Sequence, residues 1–285
     1  MLFRASDYWF NMIFNLIVKN GDLNLISDRL IIGLGGGFKS LHKYLESVKD
    51  VTGSAWVVKT YTGSYKSTKI TTIAIAGGGV YAEWIAALAY KKRAKLLVGV
   101  GWCGALDPEL DLGDIVIPVA AVRDESTSDH YIDKQYPAVA DFKLVHLADE
   151  LFGQFPELKI HTGVIITTSS TFTESPDWGK EWSLKNVIAV DCETSVIYTL
   201  ASLMRIPAIN ILVVSDHVTK STPYTQNSAK KVDKAYDLAL KVAYEVITKS
   251  EMLYTQRRIQ DSYSDQKKYD QYNSKNASPE TSLDW

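Results

Sequence analysis

The chain has 285 residues, a formal net charge of -2 and a hydrophobic fraction of 46%. That is enough apolar material for one large α/β domain or two small ones, and the charge balance, with no basic stripe, argues against a nucleic-acid binder. The two cysteines, Cys103 and Cys192, lack metal-site spacing and read as reduced, buried thiols of a cytosol-like compartment, and no run approaches the ~20 apolar residues that span a membrane.

Taken in order, residues 1–28 read as an N-terminal extension. Tyr8, Trp9, Phe10, Ile13, Phe14, Leu16 and Ile17 are interrupted by Arg4, Asp7, Asn11 and Asn15. This predicts an amphipathic helix that packs on the body or on a partner subunit. A signal peptide is less favoured because no small-residue cleavage site is present, and a membrane-surface helix is the other alternative. Residues 29–39, RLIIGLGGGFK, predict a strand, a glycine turn that includes Gly33, and a helix over about 38–48. Such a turn either cradles phosphate with backbone N–H groups or simply reverses the chain; Lys39 is its nearest cation. Residues 56–60 and 69–76 predict paired strands that turn at Gly63-Ser64. The second enters Gly77-Gly78-Gly79 and a helix over 80–92. Glu83 in its first turn reads first as dipole compensation and second as a ligand contact.

Residues 95–104, KLLVGVGWCG, predict a buried strand ending in a glycine turn, and 111–118, DLGDIVIP, a turn and a strand. The polar stretch 123–136 holds His130, read as a surface histidine before a ligand contact. A helix over 140–155 and a strand over 159–168 follow, leading into Ser169-Ser170-Thr171-Phe172. Then comes the most informative stretch, 187–220. A β-branched run ends in Asp191 and Glu193, a helix follows, Pro207 breaks it, and a second apolar run ends in Ser215-Asp216-His217. Strand, helix, strand with acids at both strand ends is where an α/β sheet binds its ligand. A helix over 228–250 precedes a polar tail, 251–285, expected to be disordered.

The run VDCETS at 190–195 and Ser215-Asp216 resemble the V-E-M-E-[AS] and S-D motifs of the nucleoside phosphorylase family, which handles purine nucleosides and uridine. DLGDIVIP resembles that family's [DN]-[LI]-G-D-[IV]-[IV]-[IV]-P, GVGWCG its R-x-G-[ST]-[CA]-G, and Gly77-Gly78-Gly79 its G-x-G turn. The resemblance covers about 30–249. It implies a single-domain three-layer α/β/α sandwich with a twisted mixed β-sheet over 29–250. It also implies that Glu193, with Cys192, binds the ribose hydroxyls and that Asp216 protonates a leaving purine. By the same resemblance Phe172 stacks on the base beside Ser170, a core phenylalanine being the alternative, and Gly33, Gly78, Gly101 and Trp102 lie in the phosphate or nucleophile region. Asp191 and Cys192 stand for the usual Glu and Met. Gly99 and Trp102 stand where Arg and Ser or Thr are expected, and the 33–37 loop has no arginine. Lys220, Lys230 and Lys231 are the nearest candidates for a cation that assists the acid.

The implied activity is phosphorolysis of a purine nucleoside to free base and ribose 1-phosphate. The implied enzyme is a cytoplasmic, homo-oligomeric pentosyltransferase (dimer to hexamer) with no metal or organic cofactor and phosphate as co-substrate. The missing arginines keep two alternatives open: a hydrolytic nucleosidase acting on a nucleoside or nucleotide, and a non-catalytic nucleoside-binding protein on the same fold. A dinucleotide-binding domain would rest on the glycine turns alone, without G-x-G-x-x-G and its following acid.

Overall fold

Short apolar runs rich in Val and Ile build one mixed sheet of ten strands, seen in a computed structural model that describes residues 2–35 and 41–254. The elements are α1 (Asp7–Ile17), β1 (Arg29–Gly33), β2 (Glu46–Asp50), β3 (Val58–Tyr65), β4 (Thr68–Ile75), α2 (Gly79–Lys92), β5 (Leu96–Ala105), β6 (Ile115–Asp124), β7 (Ala138–Val139), α3 (Phe142–Phe152), β8 (Ile160–Thr168), α4 (Pro176–Ser183), β9 (Val187–Asp191), α5 (Thr194–Leu203), β10 (Ala208–His217), α6 (Gln226–Lys249) and α7 (Glu251–Tyr254). The sheet runs β10-β6-β8-β9-β5-β1-β4-β3-β2, with β7 on β6. Because β10 also pairs with β5, the strands β5, β9, β8, β6 and β10 close on themselves while β1 to β4 extend as an open wing. Buried residues of α1, α2 and α5 pack on one face, and those of α3 and α6 on the other. The expected layers are present, with the sheet curled at one end.

Period-two patterning in β5 explains this arrangement. Leu96, Val98, Val100 and Trp102 belong to the α6 side, while Leu97, Gly99, Gly101 and Cys103 face the opposite way. The small residues on that second face admit Leu34 and Asn210 against the backbone. The glycine turn expected at the end of this run is therefore absent: strand pairing continues through Gly104 to Ala105.

Three further expectations change. The β3–β4 turn lies at Lys66-Ser67, both with positive φ (46° and 67°), the geometry of a tight primed hairpin turn. Gly63 sits instead inside β3, where the Glu46 carbonyl approaches so closely that a Cβ would lie 2.6 Å from it. The helix read over 38–48 gives way to a turn at 41–44 and to β2, an edge strand pairing with β3. The ladder to β3 decides here, and the exposed charges Glu46, Lys49 and Asp50 suit an edge. At the far end, α7 buries Tyr254, so residues 251–254 belong to the body. The rest of the expected tail, and Lys39, lie outside the described residues.

The extension is part of the core. Phe10, Phe14 and Ile17 of α1 are buried, and Phe3 packs on Tyr90 and Tyr131 with ring centroids 5.6 and 5.4 Å apart. No helix among the described residues is long and apolar enough to cross a membrane. Phe14→Ala is expected to lose roughly 3–5 kcal/mol of stability in chemical denaturation, whereas Tyr8→Ala, at a side chain 69% exposed, is expected to stay within about 0.5 kcal/mol.

Candidate active site

The site is built from the first turn of α5. The opening amides of a helix have no partner within it. Here Thr194 N–H donates to Asp191 Oδ2 (2.9 Å) and Ser195 N–H to Thr167 Oγ1 (2.9 Å). Asp191 also accepts from Thr167 Oγ1 (2.7 Å) and Thr194 Oγ1 (2.5 Å). With those amides satisfied, Glu193 does not cap the helix. Its carboxylate turns across to β4–α2 and accepts from Gly78 N–H at 2.5 Å. Gly78 adopts φ 110° with open space where a side chain would stand, and a Cβ on Gly77 would lie 3.0 Å from Glu193 Oε1.

Asp191 and Glu193 are 5% and 3% exposed. Burial pushes both carboxyls upward, and for Glu193 the charge of Asp191 adds to the effect. Asp191 accepts three hydrogen bonds from threonines, against the Gly78 amide for Glu193. Asp191 is therefore the better-stabilised anion of the two.

Asp216 ends β10 beside Gly104, where a Cβ would lie 3.1 Å from both Asp216 Oδ2 and Val190 Cγ1. Partial burial raises its carboxyl, opposed by the hydrogen bond from Ser215 Oγ (2.7 Å). Cys192 lies between Asp191 and Glu193 in the chain, and its thiol is pushed up to about 12 by burial and then by Glu193. It is thus a neutral neighbour. Glu174 faces the same region, raised to about 7 by burial and by the charge of Asp216.

Phe172 is fully exposed in a single helical turn at Thr171–Thr173, so it is not a core phenylalanine, and Ser170 beside it is exposed too. Gly33 packs under Leu41, and a Cβ on Gly101 would lie 2.7 Å from Leu34 Cβ, so these two glycines serve packing. The Trp102 ring stacks on Tyr236 (4.6 Å, 24°) with Gly35 against its edge. At Gly99 a Cβ would overlap Asn210 Oδ1. Asn210 Nδ2 donates to Thr194 Oγ1 (2.8 Å), which ties this carboxamide to the acid network. An arginine at position 99 is excluded while Asn210 holds that place.

Lys220 Nζ donates to Pro108 O (2.7 Å), Lys230 is exposed, and the Lys231 stem lies over Gly113. His130 is exposed, and Glu83 accepts from Tyr131 Oη. One feature had not been singled out from the sequence. Arg123, 4% exposed, directs all its donors at its own loop: Ser128 Oγ, Asp129 and the carbonyls of Ile132, Asp133 and Tyr136. Ser128 in turn bonds Glu125, which accepts from Ser195 Oγ at 3.0 Å. This buried arginine braces the loop over the acid corner. A lone arginine at a strand end before an acidic loop was the available sequence signal. Among the described residues no group of three or more His, Cys, Asp or Glu could hold a metal ion.

A curled α/β sheet with acids at the ends of β9 and β10, one of them on the Gly78 amide, is the frame of an enzyme acting on a small polar ligand. The chain belongs to the Phosphorylase superfamily, whose family model matches residues 30–250. It is 33% identical over 162 residues to a purine nucleoside phosphorylase of DeoD type from Buchnera aphidicola subsp. Schizaphis graminum, covering 56% of this chain and 68% of that one. A second such relative, from Thermoanaerobacter pseudethanolicus, is 31% identical over 191 residues, covering 65% and 79%. The solved uridine phosphorylase of Vibrio fischeri superposes with a TM-score of 0.74 at 25% identity, covering 80% of this chain and 95% of that one. The protein is an enzyme of the nucleoside phosphorylase type, a pentosyltransferase.

Two outcomes are expected. The Glu193 carboxyl lies above its unfolded value of 4.5, so the folded protein holds an extra proton, and this contribution is lost as pH rises from about 4.5 through neutrality. Glu193→Gln keeps an acceptor for Gly78 N–H. It should stabilise the unliganded protein more at pH 8 than at pH 5, with a differential on the order of 1–2 kcal/mol in denaturation curves. Gly99→Ala should cost roughly 1–3 kcal/mol by overpacking against Asn210, and Asn210→Ala in that background should recover part of it. Additive losses would show that the two positions do not compete for one space.

Proposed function

We propose that the enzyme cleaves the N-glycosidic bond of a purine nucleoside by phosphorolysis, yielding free base and ribose 1-phosphate. The observation that carries this reading is Asp216: a half-buried carboxyl at the end of β10 whose pKa is raised by burial. Burial favours the protonated form of such a group, and in that form it can donate to a base nitrogen. As the glycosidic bond breaks, its electron pair leaves with the base. The Asp216 proton neutralises that base, and a phosphate oxygen closes on C1′. Glu193, held by Gly78 N–H, accepts from the ribose hydroxyls and orients the sugar; such orientation is worth several kcal/mol of barrier. The purine-type relatives support the choice of base, whereas the uridine phosphorylase neighbour supports the fold and the sugar end. We assign the enzyme to the cytoplasm, in keeping with its two free thiols, and to a homo-oligomer.

A second reading, with water as the nucleophile, is favoured by one specific observation. Asn210 occupies the place of a side chain at position 99, and Arg123 is engaged in its own loop. Phosphate would then depend on backbone amides such as Gly78 N–H and on groups outside the described residues.

Base release from adenosine, inosine and uridine, each with and without phosphate, separates these readings. Phosphate-dependent release from a purine nucleoside is expected. Equal release without phosphate would establish hydrolysis instead, and release from uridine alone would overturn the purine assignment. Asp216→Asn is expected to lower kcat by about 10²–10⁴-fold with nucleoside binding largely retained in calorimetric titration.

A further inference from the structure

Residues 2–17 lie outside the family match, yet they reach the acid corner through the loop between β6 and β7. That loop meets the start of α2 at two points. The Thr127 side chain covers Gly79, where a Cβ would lie 2.8 Å from Thr127 Oγ1, and Tyr131 Oη donates to Glu83 Oε1. Gly79 and Glu83 are four residues apart in α2 and so share a face. Thr127 and Tyr131 are also four apart, across the single helical turn Ser128–His130. The matched spacing lets one placement of the loop make both contacts. On its other side the loop reaches the first turn of α5, where Ser195 Oγ donates to Glu125 Oε1 (3.0 Å). The loop thus joins the starts of α2 and α5. Gly78 and Glu193 are the residues that open these two helices, and their hydrogen bond spans the same junction. Behind the loop, the buried Phe3 ring packs on Tyr131 (5.4 Å between centroids) and on Tyr90 of α2 (5.6 Å), touching loop and helix at once.

Resting on the nucleoside-cleaving reading above, we propose that Phe3 and Tyr131 are positioning residues, through which the N-terminal extension holds the Gly78–Glu193 contact in the geometry that orients the sugar. The glycine turn cannot hold itself. Gly78 has φ 110° and open space where a side chain would stand, and glycine has the widest backbone freedom of any residue. Its restraint comes from the residues just after it: Gly79 under Thr127, and Glu83 bonded to Tyr131. Phe3 backs the second contact by packing on the Tyr131 ring. Releasing it lets the first turn of α2 shift, and a misplacement of about 1 Å at an orienting group can cost on the order of 10²-fold in rate. Phe14 gives the comparison. It is buried in the same extension and packs on Phe10 (5.7 Å), and among the described residues it has no ring contact with the loop.

The test compares Phe3→Leu, Tyr131→Phe and Phe14→Leu in the full chain. Beside thermal melts, two quantities are read: kcat and kcat/KM with phosphate for whichever of adenosine, inosine and uridine the wild type cleaves best, and deuterium uptake of the amides from 78 to 83. Phe3→Leu and Tyr131→Phe are expected to lower kcat/KM by about tenfold or more, mainly through kcat, and to speed uptake at 78–83 roughly fivefold or more. Phe14→Leu is expected to melt as early as Phe3→Leu, with kcat/KM within about twofold of wild type and uptake at 78–83 unchanged. Tyr131→Phe keeps the ring on Phe3 and isolates the bond to Glu83. Activity that falls in step with melting temperature in all three variants overturns the assignment, as does unchanged uptake at 78–83 in the Phe3 and Tyr131 variants. Faster uptake in those two alone, in a protein that cleaves no nucleoside with or without phosphate, would sustain the hold on Gly78 and remove the cleavage reading instead.

Discussion

The active end depends on how the first turn of α5 is capped. Asp191 and Thr167 supply acceptors for the amides of Thr194 and Ser195, which releases Glu193, at the N-cap position, to reach Gly78. Had Glu193 capped the helix itself, no carboxylate would meet the β4–α2 turn. The same network extends in two directions. Asn210 joins it through Thr194 Oγ1, and Glu125 joins it through Ser195 Oγ, carrying the brace made by Arg123 and Ser128. The acids of this corner are held by hydrogen bonds from backbone and hydroxyl groups rather than by ion pairs.

This mode of stabilisation has an electrostatic consequence. Asp191, Glu193, Glu174 and Asp216 are all raised by burial. A site of this kind carries fewer negative charges near neutrality than its composition suggests, so an anionic co-substrate meets less repulsion. Pairs of groups whose surroundings push their titrations apart are the ordinary means of dividing acid and acceptor roles. Here Asp191 accepts three hydrogen bonds and Asp216 one, from a serine hydroxyl, while burial raises both.

The glycines separate into two groups. Gly78 needs its positive φ and exposes its amide to the site. Gly99 and Gly101 are small because Asn210 and Leu34 lie on them. On the α6 side of the same strand, Trp102 stacks on Tyr236. The departures from the family's usual residues at positions 99 and 102 are thus compensated by packing, and a single substitution back toward arginine or serine would meet an occupied space or leave a void.

Much of this was legible in the sequence, because it follows from local periodicity and covalent neighbourhood. The strand–helix–strand around Asp191, Glu193 and Asp216 is a change of period from two to 3.6 and back, broken by Pro207. Asp141 and the DLGDIVIP segment likewise mark a cap and a strand start. The Ser175-Pro176 cap of α4 carried the same kind of signal but spans only a short helix. What the sequence by itself determined was the class of fold, the family and the two acid-bearing strand ends. Only the tertiary structure decided the curling of the sheet through β5–β10, the hairpin turn at Lys66-Ser67, the packing role of Gly99 and Gly101, and the inward turn of Glu174 beside an exposed Phe172. Each of these is set by which distant atoms fill or leave open a given space, and chain-local patterns carry no record of that.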